Sequence, residues 1–121
     1  MELRRKHRDL RVWQAAVNLV EMVYRMTAAF PREEVYGLTA QMRRSAVSFP
    51  SNIAEGSARK GTRALLHFLS LASASLSELD TQLELARRIG LTRSDTTLDQ
   101  KMEEVFALLI SLEGSLRRRS T

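Results

Sequence analysis

The sequence predicts an all-α fold, an antiparallel up-down-up-down four-helix bundle spanning residues 1–121 as a single domain. Two observations carry that expectation. Apolar residues recur at steps of three and four in four separate stretches, which is helical spacing, and no stretch alternates as a strand would. The links between the stretches are short, so each helix must turn back against the one before it. A chain of 121 residues buries roughly two thirds of the surface its unfolded form exposes, enough for one core.

The first stretch, at about 10–29, follows a basic N-terminal segment at 1–9. It carries two apolar rows, Leu10, Trp13, Val17, Val20 and Tyr24 beside Val12, Ala16, Leu19, Val23, Met26 and Phe30. The polar stripe left over (Arg11, Gln14, Asn18, Glu21, Arg25) is narrow, so this helix has more apolar circumference than a lone bundle should expose. Pro31 stops it. The second helix, at about 35–55, starts among Arg32 to Tyr36, with Glu33 and Glu34 suited to the positive end of its dipole. Its inner row is Val35, Leu38, Met42, Ala46, Phe49 and Ile53; a polar row of Gln41, Arg44, Ser48, Asn52 and Glu55 lies on another face. Pro50 removes the bond to the Ala46 carbonyl, so the helix either ends at Ser48 and restarts or continues with a kink. Apolar spacing stays in phase on both sides, which favours the kink.

The third helix, 62–88, has a full heptad seam in Leu65, Leu69, Ala72, Leu76, Leu79, Leu83 and Ala86. A row of small residues, Ser70, Ala74 and Ser77, would let another helix approach. Thr62 suits its N-cap and Gly90 its stop. Gly56 and Gly61 bracket the turn before it. The fourth, at about 95–117, repeats the seam with Leu98, Met102, Val105, Leu109, Leu112 and Leu116 after a cap at Ser94 or Asp95.

Net charge is +5, and all the excess lies at the termini. Residues 1–11 hold Arg4, Arg5, Lys6, Arg8 and Arg11 against Glu2 and Asp9; Arg117, Arg118 and Arg119 close the chain; the rest sums to −1. In an up-down-up-down bundle both termini and the link between helices 2 and 3 fall at one pole, which then also gains Arg59, Lys60 and Arg63. Arginines ending helix 4 suit its dipole without any partner. Cations opening helix 3 oppose its dipole and suit an anion, phosphate foremost. The competing reading is a solvated end that aids solubility.

Several chemistries are unsupported. Without cysteine there are no disulfides or thiolate sites. His7 and His67 lack ligand-like neighbours at helical spacing, no Glu-x-x-His pair exists, and no metal or cofactor is expected. The serines of SASLS have no base nearby, and no Walker-type loop occurs. No apolar run approaches the ~18 residues of a membrane span, and the first residues lack a signal-peptide core, so a cytoplasmic, non-enzymatic protein is expected. Asn52 and Glu55 fit either a surface row capping the kink or a hydrogen-bond network at a subunit contact.

The stretch QMRRSAVSFPSNIAEG (41–56), preceded by FPREEVYGL and followed by FLSLASASLSELDTQLELARRIG, resembles the four-helix bundle protein family, also called 23S ribosomal RNA intervening-sequence proteins. The likeness begins at DLRVWQAAVNLVEMVY and covers nearly the whole chain; SFPSNIAEG is its most specific part. Ser45, Phe49 and Ser51 are mild departures. The resemblance implies a ring-shaped homopentamer without enzymatic activity. It gives Gln41, Arg44, Pro50, Asn52, Glu55 and Gly56 a structural role, with Arg44, Asn52 and Glu55 holding helix 2 or its neighbour. A related bundle, the accessory variability determinant of diversity-generating retroelements, binds nucleic acid and a reverse transcriptase. The function expected is therefore an oligomeric bundle binding RNA or DNA through its basic pole; the alternative is a protein-interaction scaffold.

Overall fold

The computed structural model describes residues 5–119. Four helices occupy them: α1 (Arg11–Thr27), α2 (Leu38–Ala58), α3 (Thr62–Arg88) and α4 (Thr96–Arg119), with 3-10 turns at Lys6–Asp9 and Arg32–Glu34 and no strand among the described residues. Each helix packs on two others in the cycle α1, α2, α3, α4, the arrangement of a helical bundle, and α2 with α3 is the most extensive pairing. Gly56 near the end of α2 abuts Leu65 and Phe68 near the start of α3. Further along the same pair, the Ser48 and Ser75 hydroxyls hydrogen-bond at 2.8 Å. Arg87 at the end of α3 pairs with Asp99 in the first turn of α4 at 2.7 Å.

The core follows the predicted rows closely. Leu69, Ala72, Leu76, Leu79, Leu83 and Ala86 of α3 are buried, as are Leu98, Met102, Val105, Leu109 and Leu116 of α4 and Met42, Ala46, Phe49 and Ile53 of α2. Truncating one of these, Leu76 for example, costs about 2–5 kcal/mol through lost transfer energy and the cavity left behind. Val35, placed in the α2 inner row, is instead half-exposed, because it lies in the link after the Arg32–Glu34 turn and α2 opens only at Leu38. The Glu34 carboxylate accepts a hydrogen bond from the Leu38 N–H at 3.2 Å, so it serves the helix start from outside the helix.

α1 ends at Thr27, short of Pro31. The Thr27 hydroxyl donates to the Val23 carbonyl at 2.7 Å, and Phe30 N–H bonds back to Thr27, turning the Phe30 ring into the core. Val12, Leu19 and Val23 of α1 are buried, Trp13, Val17, Val20, Met22 and Met26 are half-buried, and Tyr24 is exposed, so part of the apolar surface of α1 stays open in the single chain. Exposed large apolar side chains lie elsewhere, at Val47 on α2, Leu71 and Leu85 on α3, Ile110 on α4, and Tyr36 and Ile89 in the links.

α2 runs unbroken through the buried Pro50, so it does not stop at Ser48. Side chains serve the carbonyls around the proline: Ser51 Oγ donates to Val47 O at 2.8 Å, and Asn52 Nδ2 to Ser48 O at 3.0 Å and Ser48 Oγ at 3.1 Å. The helix then continues past Glu55 to Ala58, which puts Gly56 inside it and not in the turn. A Cβ at Gly56 would lie 2.7 Å from Phe68 Cβ and 3.0 Å from Leu65 Cδ1. That glycine is what lets α2 and α3 approach. The row Ser70, Ala74 and Ser77, expected to serve close approach, faces outward. At the turn, Gly61 has φ +90°, which only glycine adopts without strain, and it takes the cap position foreseen for Thr62. Asp95 is the cap of α4, accepting from Thr97 N–H at 2.9 Å and Leu98 N–H at 3.2 Å.

Candidate nucleic-acid interface

The basic N-terminal segment is tied to the bundle. Arg8 and Leu10 N–H groups close the 3-10 turn on the carbonyls of Arg5 and His7, each at 3.0 Å. Gln14 Nε2 donates to the Arg8 carbonyl at 2.7 Å. The His7 ring meets Trp13 edge-on at 5.0 Å, and the Arg8 guanidinium lies 5.5 Å from the Trp13 centroid. Trp13 and Gln14 thus act as anchors, which places Lys6 against the turn between α2 and α3.

At that turn Arg59 leaves α2 in extended geometry. Its guanidinium is fixed twice, by the Glu55 carboxylate at 2.8 Å and by the Phe68 ring at 5.2 Å. Both members of the Glu55–Arg59 pair are half-exposed, so the pairing adds little to stability; it orients the cation more than it neutralises it. The opening N–H groups of α3 have no side-chain cap. Lys60 and Arg63 are exposed beside them and form no ion pair among the described residues. From α4, Leu116 is buried, Arg117 stands 3.9 Å from the Glu113 carboxylate, and Arg118 and Arg119 are exposed.

Two adjoining depressions mark the junction. One, of about 340 Å³, is lined by Lys6, Leu10, Ser57, Arg59, Thr62, Leu65, Leu116 and Arg119, among others; the other, of about 310 Å³, by Arg5, Lys6, His7, Ser57 and Ala58. Lys6, Arg59 and Arg119 come from three distant parts of the sequence and share one wall. Lys60, Arg63, Arg8, Arg11, Arg117 and Arg118 lie outside the two linings. Arg4 falls outside the described residues.

A larger cleft of about 790 Å³ lies elsewhere, against α2 and α3, and takes in Gln41 and Arg44 with Arg43, Ser48, Ser75 and Glu78. It sets Arg43 and Arg44 against Glu78, whereas the 340 Å³ depression gathers Lys6, Arg59 and Arg119 with no carboxylate in its lining, so the smaller depressions are the better anion site. Of the signature residues, Asn52 bonds within its own helix and Glu55 holds Arg59. Arg43 was not singled out from sequence. It donates from Nε to Thr27 Oγ1 at 2.9 Å and from Nη2 to Tyr24 O at 3.3 Å, with its guanidinium 4.4 Å from the Tyr24 centroid, and so caps the end of α1 from α2. Its spacing in α2 carries no sign of this, because the partner is another helix.

No group of three or more metal-ligating side chains occurs among the described residues, and no helix there is long and apolar enough to cross a membrane. A family model described as 23S rRNA-intervening sequence protein matches residues 8–111. No curated protein matches the chain.

Proposed function

The chain belongs to the 23S rRNA-intervening sequence protein family, and from that membership and its cationic pole we propose a non-enzymatic bundle that binds nucleic acid, RNA before DNA. The observation that carries this reading is the shared wall of Lys6, Arg59 and Arg119, three cations that local sequence does not explain as neighbours. Arg59, Lys60 and Arg63 flank the uncapped start of α3, where the helix dipole also favours an anion. Assembly into the pentameric ring that the family resemblance implies would repeat the pole, so weak contacts on one polynucleotide would add through effective concentration. A cytoplasmic location fits a ligand of this kind.

The test is a salt series of fluorescence anisotropy with labelled RNA. Each phosphate neutralised contributes roughly −0.7 (single strand) to −0.9 (duplex) to the slope of log affinity against log salt. Replacing Arg59, Lys60 and Arg63 together with alanine should weaken binding and flatten that slope. Affinity unchanged by the triple replacement, or insensitive to salt, would remove this reading. The scaffold alternative draws on the exposed Val47, Leu71, Leu85 and Ile110; it predicts a protein partner retained at high salt with no nucleic acid attached.

A further inference from the structure

We infer that the pole takes an unpaired nucleic-acid strand, seating a nucleotide in the depression between the N-terminal segment, the α2–α3 turn and the end of α4. This deepens the reading above and rests on it. Its grounds are the shape and the layered chemistry of the site. Leu116 is buried, and Leu10 and Leu65 are half-buried, whereas Lys6, Arg59 and Arg119 are exposed. The depression therefore has an apolar floor and a cationic rim. A phosphate alone needs only the rim; an apolar floor suits a base. At about 340 Å³ the space lies near the lower end of small-ligand sites, which run from roughly 300 to 1,000 Å³.

The second depression, about 310 Å³, shares Lys6 and Ser57 with the first, so the two adjoin and Lys6 sits where a backbone would pass between them. A duplex keeps its bases stacked inside and offers phosphates on a convex surface; only an unpaired strand splays a base into a concavity while its phosphates stay outside. The cations are set for this: Arg59 is held by Glu55 and Phe68, and Lys6 and Arg119 form no ion pair among the described residues.

Anisotropy titrations of the full chain with an oligouridylate, an oligothymidylate and a blunt RNA duplex of matching length test the inference. Both single strands should bind more tightly than the duplex. The double replacement Lys6→Ala with Arg119→Ala should weaken strand binding by roughly tenfold near physiological salt and flatten its slope by about 1.4, the share of two single-strand phosphate contacts. The same pair should weaken duplex binding clearly less than strand binding. Lys60→Ala with Arg63→Ala, outside the depressions, should weaken all three probes alike. A duplex bound as tightly as the strands, or strand and duplex weakened equally by the Lys6 and Arg119 changes, would overturn the single-strand inference while leaving nucleic-acid binding intact. Failure of every probe to bind would overturn both.

Discussion

Gly56→Ala isolates the tightest of the glycine contacts among the described residues. Alanine would normally help a helix here by up to about 1 kcal/mol, since glycine is the costlier residue in a helix interior. The Cβ it adds would stand 2.7 Å from Phe68 Cβ and 3.0 Å from Leu65 Cδ1. Carbon atoms pack best at about 3.5–4.0 Å, so α2 and α3 must part by close to 1 Å. The leucine methyl can rotate aside, but Phe68 Cβ is fixed to its backbone and cannot. Overpacking of this kind costs about 1–3 kcal/mol, and a rigid obstacle argues for the upper part of that range. The net expectation is destabilisation by about 2 kcal/mol, or a fall in Tm on the order of 6–10 °C for a chain this size. Gly114→Ala is the internal control: a Cβ there meets only Arg118 Nη1 at 3.4 Å, the end of a flexible side chain, so the propensity gain should survive and stability should hold or rise. Urea unfolding followed by circular dichroism, with both variants and the parent at one protein concentration, reads the two signs. A Gly56→Ala protein as stable as the parent would refute the argument that this glycine exists to admit α3.

Other outcomes follow from single contacts. Asp95→Ala removes the acceptor for the Thr97 and Leu98 N–H groups and should cost about 1 kcal/mol in the same assay, with Asp95→Asn largely preserved. Arg43→Ala frees the buried Thr27 hydroxyl region and the Tyr24 carbonyl; a loss of about 1–2 kcal/mol is expected, and Arg43→Lys should recover little of it because a lysine cannot both fork and stack. Leu76→Ala, at a fully buried seam position, should cost about 2–5 kcal/mol.

Much of the fold was legible because helical burial writes itself into spacing. The seams of α3 and α4 predict their buried faces almost residue by residue, since each position there has one role. Legibility fails where a residue's role depends on a partner far along the chain. Gly56 looked like turn punctuation, because nothing local says that Phe68 stands against it. Ser70, Ala74 and Ser77 looked like a close-packing row, because small size reads alike on a buried face and an open one. Val35 kept the apolar phase of α2 but fell in the link just after a 3-10 turn, where phase no longer decides burial. For the site, charge distribution pointed to one end of the molecule, yet it did not distinguish Lys6, Arg59 and Arg119, which line the depression, from Lys60 and Arg63, which do not. The apolar floor was invisible as a site feature, because Leu10, Leu65 and Leu116 were already explained as core.

The Ser48–Ser75 hydroxyl pair and the Gly56 notch sit well apart along the same two helices. Two fixed points prevent sliding: a slip of one helical turn, about 5.4 Å, would break the hydroxyl pair and drive a bulkier residue into the notch at once. The hairpin of α2 and α3 therefore has a single permitted alignment, and with it a defined height for Arg59 above the start of α3. A contact between two neutral side chains, outside the cationic depression, thereby sets the reach of the charged tip.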